Sequence, residues 1–183
     1  MTCMVFIPGW QDSGEHHWQT LWAKSFPSCV RVDQADWHHP DRAQWVARLD
    51  QVLTDFVDEP AVLVAHSLGA STVAHWAGHA SLQQQRRVKG ALLVAPPDVR
   101  GSAFQSTVPA SGFESEPDWK LPFPSILVAS SDDPYCSQER SQALALAWGS
   151  QLVTLEHAGH INADSKLGNW EAGQRLLQKL MLA

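Results

Sequence analysis

The segment at residues 61–70, Ala-Val-Leu-Val-Ala-His-Ser-Leu-Gly-Ala, constrains the fold of this chain more than any other stretch. A continuous apolar run at 61–65 follows the helix breaker Pro60, and this pattern predicts a strand buried on both faces. The residues from Leu68 onward have the composition of a helix. Ser67 is therefore expected at a sharp strand-to-helix turn.

A hydroxyl at such a turn projects from the carboxyl edge of a parallel sheet, where a nucleophile is needed. The small residues Ala65 and Gly69 fit the turn, because larger side chains would collide with the neighbouring strand and helix. Backbone N–H groups that open the helix lie beside the hydroxyl and favour negative charge on an attacked carbonyl. The pentapeptide also occurs by chance, with Ala65 in place of the usual glycine, so the rest of the chain has to supply a base.

The composition is that of an ordinary globular protein. With 183 residues, 44% hydrophobic and 17% charged, the chain is long enough for one domain with a sizeable core. The formal net charge is -6, and the one basic cluster is Arg86, Arg87 and Lys89. Nucleic acid is therefore not expected as a partner.

The N-terminus and the cysteines indicate where the protein works. An apolar run begins at Cys3 without a cationic lead and meets Pro8 and Gly9 almost at once, which fits neither a signal peptide nor a membrane span. The three cysteines are scattered and odd in number, which argues against a disulfide framework and a clustered cysteine metal site. We expect reduced thiols and a cytoplasmic protein.

Strand and helix patterns alternate along the whole chain. The predicted strands are 3–7, 30–32, 61–65, 88–95, 126–129 and 152–155. The predicted helices run from near residue 17 to Pro27, from the N-cap Asp41 to about 57, and over 68–78, 137–148 and 170–182. This alternation predicts an α/β fold with three layers, a mostly parallel sheet covered by helices on both faces.

The stretch at 98–124 breaks this alternation. It has no periodicity, collects Ser, Gly, Pro and acidic residues, and contains Phe104, Phe113 and Trp119. A loop of this length in a compact domain is usually a lid, a binding loop or a mobile segment. We expect a small cap over the active site.

Three loops at the predicted carboxyl edge carry the groups needed for acyl transfer. They hold Ser67, an aspartate at 132 or 133, and a histidine at 157 or 160. The chain order Ser, Asp, His is that of α/β-hydrolases. A histidine takes the serine proton during attack, and the aspartate orients the imidazole and stabilises its charged form.

Within each pair one residue is favoured. Asp133 lies deeper in its loop, and Asp132 is then a capping or solvated neighbour. His160 follows Gly159, whose conformational freedom allows the loop to bring the imidazole back over the serine. His157 is nearer the strand end and is expected to pack or bond locally.

The loop after the first strand is expected to complete an oxyanion hole. Gly9 allows a close backbone approach, so the N–H groups of Trp10 and Leu68 are the predicted pair of donors. The alternative is that Pro8 and Gly9 form only a turn. The predicted acyl pocket is shallow, suited to small uncharged groups, and lined by Trp10, Trp37 and Trp119.

Other candidate residues have simpler explanations. His75 and His79 are four residues apart, as zinc ligands can be, but no HExxH frame or third ligand accompanies them. The histidines at 16–17 and 38–39 are read as loop or capping residues, whereas His66 can tune the site beside Ser67. No phosphate-binding glycine loop or dinucleotide fingerprint is present, so neither a cofactor nor a metal is expected.

The chain resembles the small single-domain serine hydrolases grouped with the bacterial YdeN proteins and the vertebrate retinoblastoma-binding serine hydrolase. The motifs that carry the resemblance are 8–10 with Ser13 and 17–18, 65–69, 131–134 and 159–165, and the segment 167–170 is similar to the bacterial branch. The resemblance covers nearly the whole chain.

The resemblance implies an α/β-hydrolase fold of reduced size, with Ser67 as nucleophile, Asp133 as orienting acid and His160 as base. The chain departs from the family at Ala65, where glycine is frequent, but alanine still fits the turn. It has no Leu-x-Cys-x-Glu segment, so an association with retinoblastoma protein is not implied.

These observations predict a serine hydrolase that cleaves small ester, thioester or amide substrates through an acyl-enzyme on Ser67. Two alternatives stay open at this point. The chain can be a catalytically weak or inactive scaffold that binds a protein partner, or the same triad can host lyase or peptidase chemistry.

Overall fold

The computed structural model describes residues 1–109 and 111–183 and contains a six-stranded sheet within them. Its strands are β1 Cys3–Ile7, β2 Cys29–Arg31, β3 Ala61–His66, β4 Val88–Val94, β5 Ser125–Ser130 and β6 Gln151–Leu155. All neighbouring strands are parallel, in the order β2-β1-β3-β4-β5-β6. The predicted parallel sheet is confirmed, and the loops after its strands meet at one edge.

The described residues also form seven α-helices and a short 3₁₀ helix at Ala163–Ser165, of which the 3₁₀ helix and the last α-helix follow β6. The α-helices are α1 Trp18–Ser25, α2 Arg42–Asp55, α3 Leu68–His79, α4 Leu82–Gln85, α5 Ser102–Thr107, α6 Gln138–Trp148 and α7 Glu171–Leu182. The sequence did not predict α4 and α5, because helices of one turn or slightly more are too short to show a 3.6-residue period.

The sheet separates two apolar cores, which explains the continuous apolar run of β3. Leu63 and Ala65 face a core built with α2, α3 and α6, whereas Val62 and Val64 face a core built with α1 and α7. Because both faces are covered, every residue of β3 is buried. The predicted three-layer arrangement is confirmed.

The predicted N-cap of the second helix is confirmed. Asp41 caps α2 and accepts a hydrogen bond from the Gln44 N–H at 2.9 Å, and Trp18 and Trp22 of α1 are buried. Phe56 is 60% exposed, because α2 ends at Asp55 and the next residue leaves the helical path.

The 98–124 segment is more ordered than a loop without periodicity suggests. It contains α5, and Phe104 and Phe113 are buried in a third apolar cluster with Trp45 and Leu68. Residue 110, which belongs to the predicted cap, lies outside the described residues. The described part of the segment is therefore anchored to the body of the protein by its aromatic side chains.

His75 on α3 is a buried imidazole without a polar partner on Nε2 among the described residues. It packs against the rings of Phe113 at 5.8 Å and Trp119 at 6.2 Å between centroids. Burial lowers the pKa of His75 to about 4, with smaller contributions from Arg42 and His79. The folded protein therefore keeps this side chain neutral.

We expect the free energy of unfolding to fall as the pH is lowered from 6.5 towards 4. In this range the unfolded chain protonates the imidazole and the folded protein does not, so each such group costs about 1.4 kcal/mol per pH unit. His75→Leu should make this pH dependence shallower, as measured by urea unfolding at pH 7 and 5. An unchanged slope in the variant would contradict the assignment.

Candidate active site

Ser67 joins β3 to α3 in a backbone conformation that few non-glycine residues adopt. Its φ is 55° and its ψ is -125°, and its N–H donates to the carbonyl of Val94 at 2.8 Å. Strained positions of this kind persist only where the surrounding structure holds them, and they cluster at functional sites. The predicted strand-to-helix turn is present.

Two glycines allow the end of β1 to touch this turn. A Cβ placed on Gly69 would lie 2.2 Å from the carbonyl oxygen of Ile7, and one on Gly9 would lie 2.8 Å from the carbonyl oxygen of His66. The Cβ on Gly9 would also lie 2.9 Å from that of Ser67. The backbone at the end of β1 and the backbone of the turn at Ser67 are therefore in direct contact. A turn formed by Pro8 and Gly9 alone would not require this contact.

Three loops bring Ser67, His160 and Asp133 into hydrogen-bond contact. Ser67 Oγ is 2.8 Å from His160 Nε2, and His160 Nδ1 is 3.0 Å from both carboxylate oxygens of Asp133. An ionised carboxylate only accepts, so Nδ1 carries the proton, and Nε2 is left to accept from the serine hydroxyl. The side chains of His160 and Asp133 are 11% and 2% exposed.

The alternative aspartate and histidine lie beside this contact chain. Asp132 accepts hydrogen bonds from the Gly159 N–H at 2.8 Å and the Ser130 hydroxyl at 2.9 Å, and these hold its pKa below the usual range. The His157 side chain is 81% exposed and lies 3.8 Å from Asp132. The structure thus brings Asp133 and His160 to the serine, and Asp132 fastens the loop that carries His160.

The backbone N–H groups of Trp10 and Leu68 are free at the predicted oxyanion position. Neither donates a hydrogen bond to any described residue, and Leu68 N would lie 3.0 Å from a Cβ on Gly9. The next N–H along, that of Gln11, is occupied because it donates to the Trp37 carbonyl at 3.0 Å. Trp10 and Leu68 therefore offer unpaired donors beside Ser67.

The loop that carries Trp10 is held by contacts outside it. Gln11 and Asp12 both have positive φ, at 63° and 66°. The Trp10 indole N–H donates to the His38 carbonyl at 3.0 Å, and the Asp12 carboxylate pairs with Arg31. These contacts keep a strained backbone in place beside Ser67.

A cavity of about 260 Å³ is open to Ser67 and His160. One part of its lining is apolar or aromatic and comprises Trp10, Leu68, Pro97, Phe104, Val108 and Tyr135. Another part is polar and includes Asp12, His17, His66, Asn162 and Asp164. Phe104 belongs to the 98–124 segment whose aromatic side chains were expected at the site. The sequence did not indicate Tyr135, because the loop after β5 was considered only for its aspartates.

Two of the predicted pocket residues do not line this cavity. Trp37 packs edge-on against Trp45, with 5.7 Å between ring centroids. Near the site it contributes its main-chain carbonyl, which accepts a hydrogen bond from the Gln11 N–H. Trp119 packs on α3, where its indole N–H donates to the Ala74 carbonyl at 3.0 Å. Its ring fills the space that Gly78 leaves open, so the prediction for Trp37 and Trp119 is wrong.

Two further histidines surround His160. His66 is buried, and its Nε2–H donates to the His160 carbonyl at 2.9 Å. His17 caps α1 by accepting the Gln19 N–H on Nδ1, and burial, then His160 and Arg31, lowers its pKa to about 4. Burial also holds the pKa of His66 well below its ordinary value. Both side chains are therefore neutral near pH 7.

Within the described residues, no cluster of three or more His, Cys, Asp or Glu side chains is arranged to hold a metal ion. No α-helix of that part of the chain is long and apolar enough to cross a bilayer.

The sheet topology and the serine turn define the class of the protein, an α/β-hydrolase. The sequence matches the serine hydrolase family over residues 4–179, and the chain belongs to that family. A comparison with curated proteins gave no match.

Solved structures agree with this assignment. A protein from Pectobacterium atrosepticum described as a YdeN-like hydrolase is 32% identical, with a TM-score of 0.83 over 98% of this chain and 90% of that one. The ydeN gene product of B. subtilis is 20% identical, with a TM-score of 0.80 over the whole of both chains. Est1E from Butyrivibrio proteoclasticus shares the fold at 15% identity, with a TM-score of 0.75 over 100% of this chain and 90% of that one. The resemblance to the YdeN group is confirmed.

The close approach of Gly9 to the serine turn can be tested with a second glycine of the same loop. Gly9→Ala should lower the free energy of unfolding by about 1–3 kcal/mol, because its Cβ would meet backbone atoms. Gly14→Ala is the matched control, because a Cβ there meets nothing within 4 Å, and it should stay within about 0.5 kcal/mol. Urea unfolding measures both, and equal effects would refute the contact.

Proposed function

We propose that the chain is a hydrolase of small ester, thioester or amide substrates that works through an acyl-enzyme on Ser67. The observation that carries the proposal is the hydrogen-bond chain from Ser67 Oγ through His160 to Asp133, at 2.8 Å and 3.0 Å. Membership of the serine hydrolase family supports the same chemistry. Asp133 is the proposed orienting acid and His160 the proposed base.

In the acylation half, Ser67 Oγ attacks the carbonyl carbon and its proton passes to His160 Nε2. Negative charge then develops on the carbonyl oxygen, and the N–H groups of Trp10 and Leu68 are the proposed donors to it. Collapse of the tetrahedral intermediate breaks the bond to the leaving group, which takes the proton from His160. Asp133 holds the imidazole tautomer and stabilises its transient positive charge.

In the deacylation half, a water molecule attacks the acyl carbon and gives a proton to His160. The bond to Ser67 Oγ breaks, the serine oxygen recovers the proton, and the carboxylic acid product leaves. His160 again acts first as base and then as acid, with water in the place of Ser67 and Ser67 in the place of the leaving group. The enzyme therefore returns to its starting protonation state without a cofactor.

The cavity indicates which substrates fit. Its volume of about 260 Å³ is at or below the lower end of ordinary ligand pockets, about 300–1,000 Å³. In the described residues, its lining holds the carboxylates of Asp12 and Asp164 and neither lysine nor arginine. Because Asp12 is paired with Arg31, an anionic acyl group would meet the Asp164 carboxylate and no free cation of the lining, so small uncharged acyl groups are the proposed substrates.

The rival hypothesis is an inactive scaffold that binds a protein partner. It requires a misaligned serine and histidine or a cavity blocked by a side chain. The contact of 2.8 Å between Ser67 and His160 and the open cavity argue against it. Lyase or peptidase chemistry on the same side chains stays an alternative for the reaction.

The cytoplasmic location stays a prediction. It rests on the scattered cysteines, and Cys3, Cys29 and Cys136 are free thiols in the structure. Burial raises the pKa of Cys136 to about 11, so that thiol is not poised to act as a nucleophile.

Ser67→Ala should abolish both hydrolysis of p-nitrophenyl acetate and labelling by a fluorophosphonate probe, because the variant lacks the attacking oxygen. Both are measured on purified protein, with wild type as the reference and circular dichroism as the folding control. Labelling that persists in the variant would move the nucleophile to another residue, and a wild type that is neither labelled nor active would favour the scaffold hypothesis.

The two adjacent aspartates provide a matched pair. Asp133→Asn should reduce kcat by about 10³–10⁴-fold, since an amide in place of the carboxylate favours the wrong imidazole tautomer. Asp132→Asn keeps an oxygen that accepts from Ser130 and Gly159, so kcat should change by less than about threefold. Steady-state kinetics of both variants decide the assignment, and a larger loss in Asp132→Asn would reverse it.

A further inference from the structure

The loop that carries His160 is strained at three alternate positions. His157, Gly159 and Ile161 have φ values of 50°, 59° and 51°, and two of these three residues are not glycine. A non-glycine residue in this conformation is destabilised and persists only where contacts from its neighbours hold it. The loop therefore depends on contacts from outside to keep His160 in one orientation.

Two buried ring N–H groups bind consecutive carbonyls of this loop. His66 Nε2–H donates to the His160 carbonyl and Trp18 Nε1–H donates to the Ile161 carbonyl, each at 2.9 Å. The His66 and Trp18 side chains belong to residues that are 5% and 1% exposed. One donor comes from the end of β3 and the other from the start of α1, so the loop is held from two separate elements.

We propose that His66 and Trp18 are positioning residues that hold the His160 imidazole in line with Ser67 by binding the main chain of its loop. This inference rests on the proposed function, because it assigns these residues a role through His160. Neither residue is proposed to touch the substrate's reacting atoms.

His66 directly precedes Ser67 in the sequence, and this fixes the position of His160 relative to Ser67. His66 and Ser67 are neighbours, and His66 binds the main chain of His160 while Ser67 contacts its side chain at 2.8 Å. Two adjacent residues therefore fix both the main chain and the imidazole of His160 relative to Ser67 Oγ. A displacement of about 1 Å in such a pair costs on the order of 100-fold in rate.

Burial strengthens the hydrogen bonds that His66 and Trp18 donate to the His160 loop. In a site of low dielectric constant a hydrogen bond is stronger than in water, and a buried carbonyl left without a donor destabilises the loop. Burial also keeps His66 neutral. The charges of His17 and His160 lower its pKa further, and the hydrogen bond to the His160 carbonyl raises it by a smaller amount. His66 thus serves as a donor and does not compete with His160 for the serine proton.

Trp22 is a matched control for Trp18. Both indoles are buried in one aromatic cluster, with ring centroids 4.8 Å apart. The Trp22 N–H donates to the Asn169 carbonyl at 2.6 Å, nine residues along the chain from His160. Replacing either tryptophan by phenylalanine removes one indole N–H and a similar side-chain volume. The two variants differ in the carbonyl that loses its donor, which is Ile161 for Trp18 and Asn169 for Trp22.

Steady-state kinetics on four variants test the inference. His66→Leu should lower kcat by about 10- to 100-fold with KM within about threefold, because the substrate cavity is kept while the base is loosened. His66→Gln, whose amide N–H can replace Nε2–H, should recover most of the loss. Trp18→Phe should lower kcat in the same way, and Trp22→Phe should stay within about twofold. Equal kcat values for the two His66 variants, or for the two tryptophan variants, would overturn the proposal.

A spectroscopic measurement separates this inference from the proposed function. The His160 Nδ1–H that donates to Asp133 should give a downfield proton resonance in wild type, in Trp22→Phe and in His66→Gln. It should broaden or disappear in His66→Leu and Trp18→Phe. If wild type is inactive and unlabelled but the resonance follows this pattern, the proposed function fails and the positioning stands. If wild type is active and all four variants keep both the resonance and kcat, the positioning fails alone. Should His66→Leu not fold, the tryptophan pair and His66→Gln decide the question.

Discussion

The site depends on a contact between backbones, at the point where the end of β1 meets the turn between β3 and α3. Gly9 and Gly69 are the two positions at which any side chain would collide with main-chain atoms of the opposite element. Because both lack a side chain, the N–H of Leu68 lies beside the loop that presents the N–H of Trp10. A larger residue at either glycine would separate the proposed donors from Ser67, even with every other contact unchanged.

The fold and the three central residues were predictable from the sequence for a topological reason. Loops after parallel strands meet at one edge, so Ser67, Asp133 and His160 could be assigned to one place without knowledge of any tertiary contact. The pocket was not predictable in this way. Trp37 and Trp119 were expected to line the pocket because they are aromatic and lie in loops. Instead, the Trp37 ring packs beside Trp45, and the Trp119 ring packs over Gly78. The space available to each ring depends on distant residues and leaves no local pattern.

The unusual number of tryptophans is explained by how this short chain fastens its loops. Nine tryptophans occur in 183 residues. Five of them donate the indole N–H to a main-chain carbonyl elsewhere in the described chain: Trp10, Trp18, Trp22, Trp119 and Trp148. An indole combines a large buried surface with one donor, so it fills a core and fixes a loop with the same side chain. A larger hydrolase can use additional secondary structure for this purpose.

Backbone strain in the molecule is concentrated near the proposed reaction. Six of the eight non-glycine residues with positive φ in the described residues lie within six residues of the end of β1, β3, β4 or β6: Gln11, Asp12, Ser67, Ala95, His157 and Ile161. The other two, Lys166 and Trp170, lie further along the segment between β6 and α7. The strands themselves are regular, and their hydrogen bonds and buried faces supply the stability against which these conformations are held. The central strands and α1 therefore act as a rigid frame, and the reactive groups are set by loops that would relax if their outside contacts were removed. This division explains why the groups that hold His160, a ring at the end of β3 and a ring at the start of α1, belong to the frame and not to the loop.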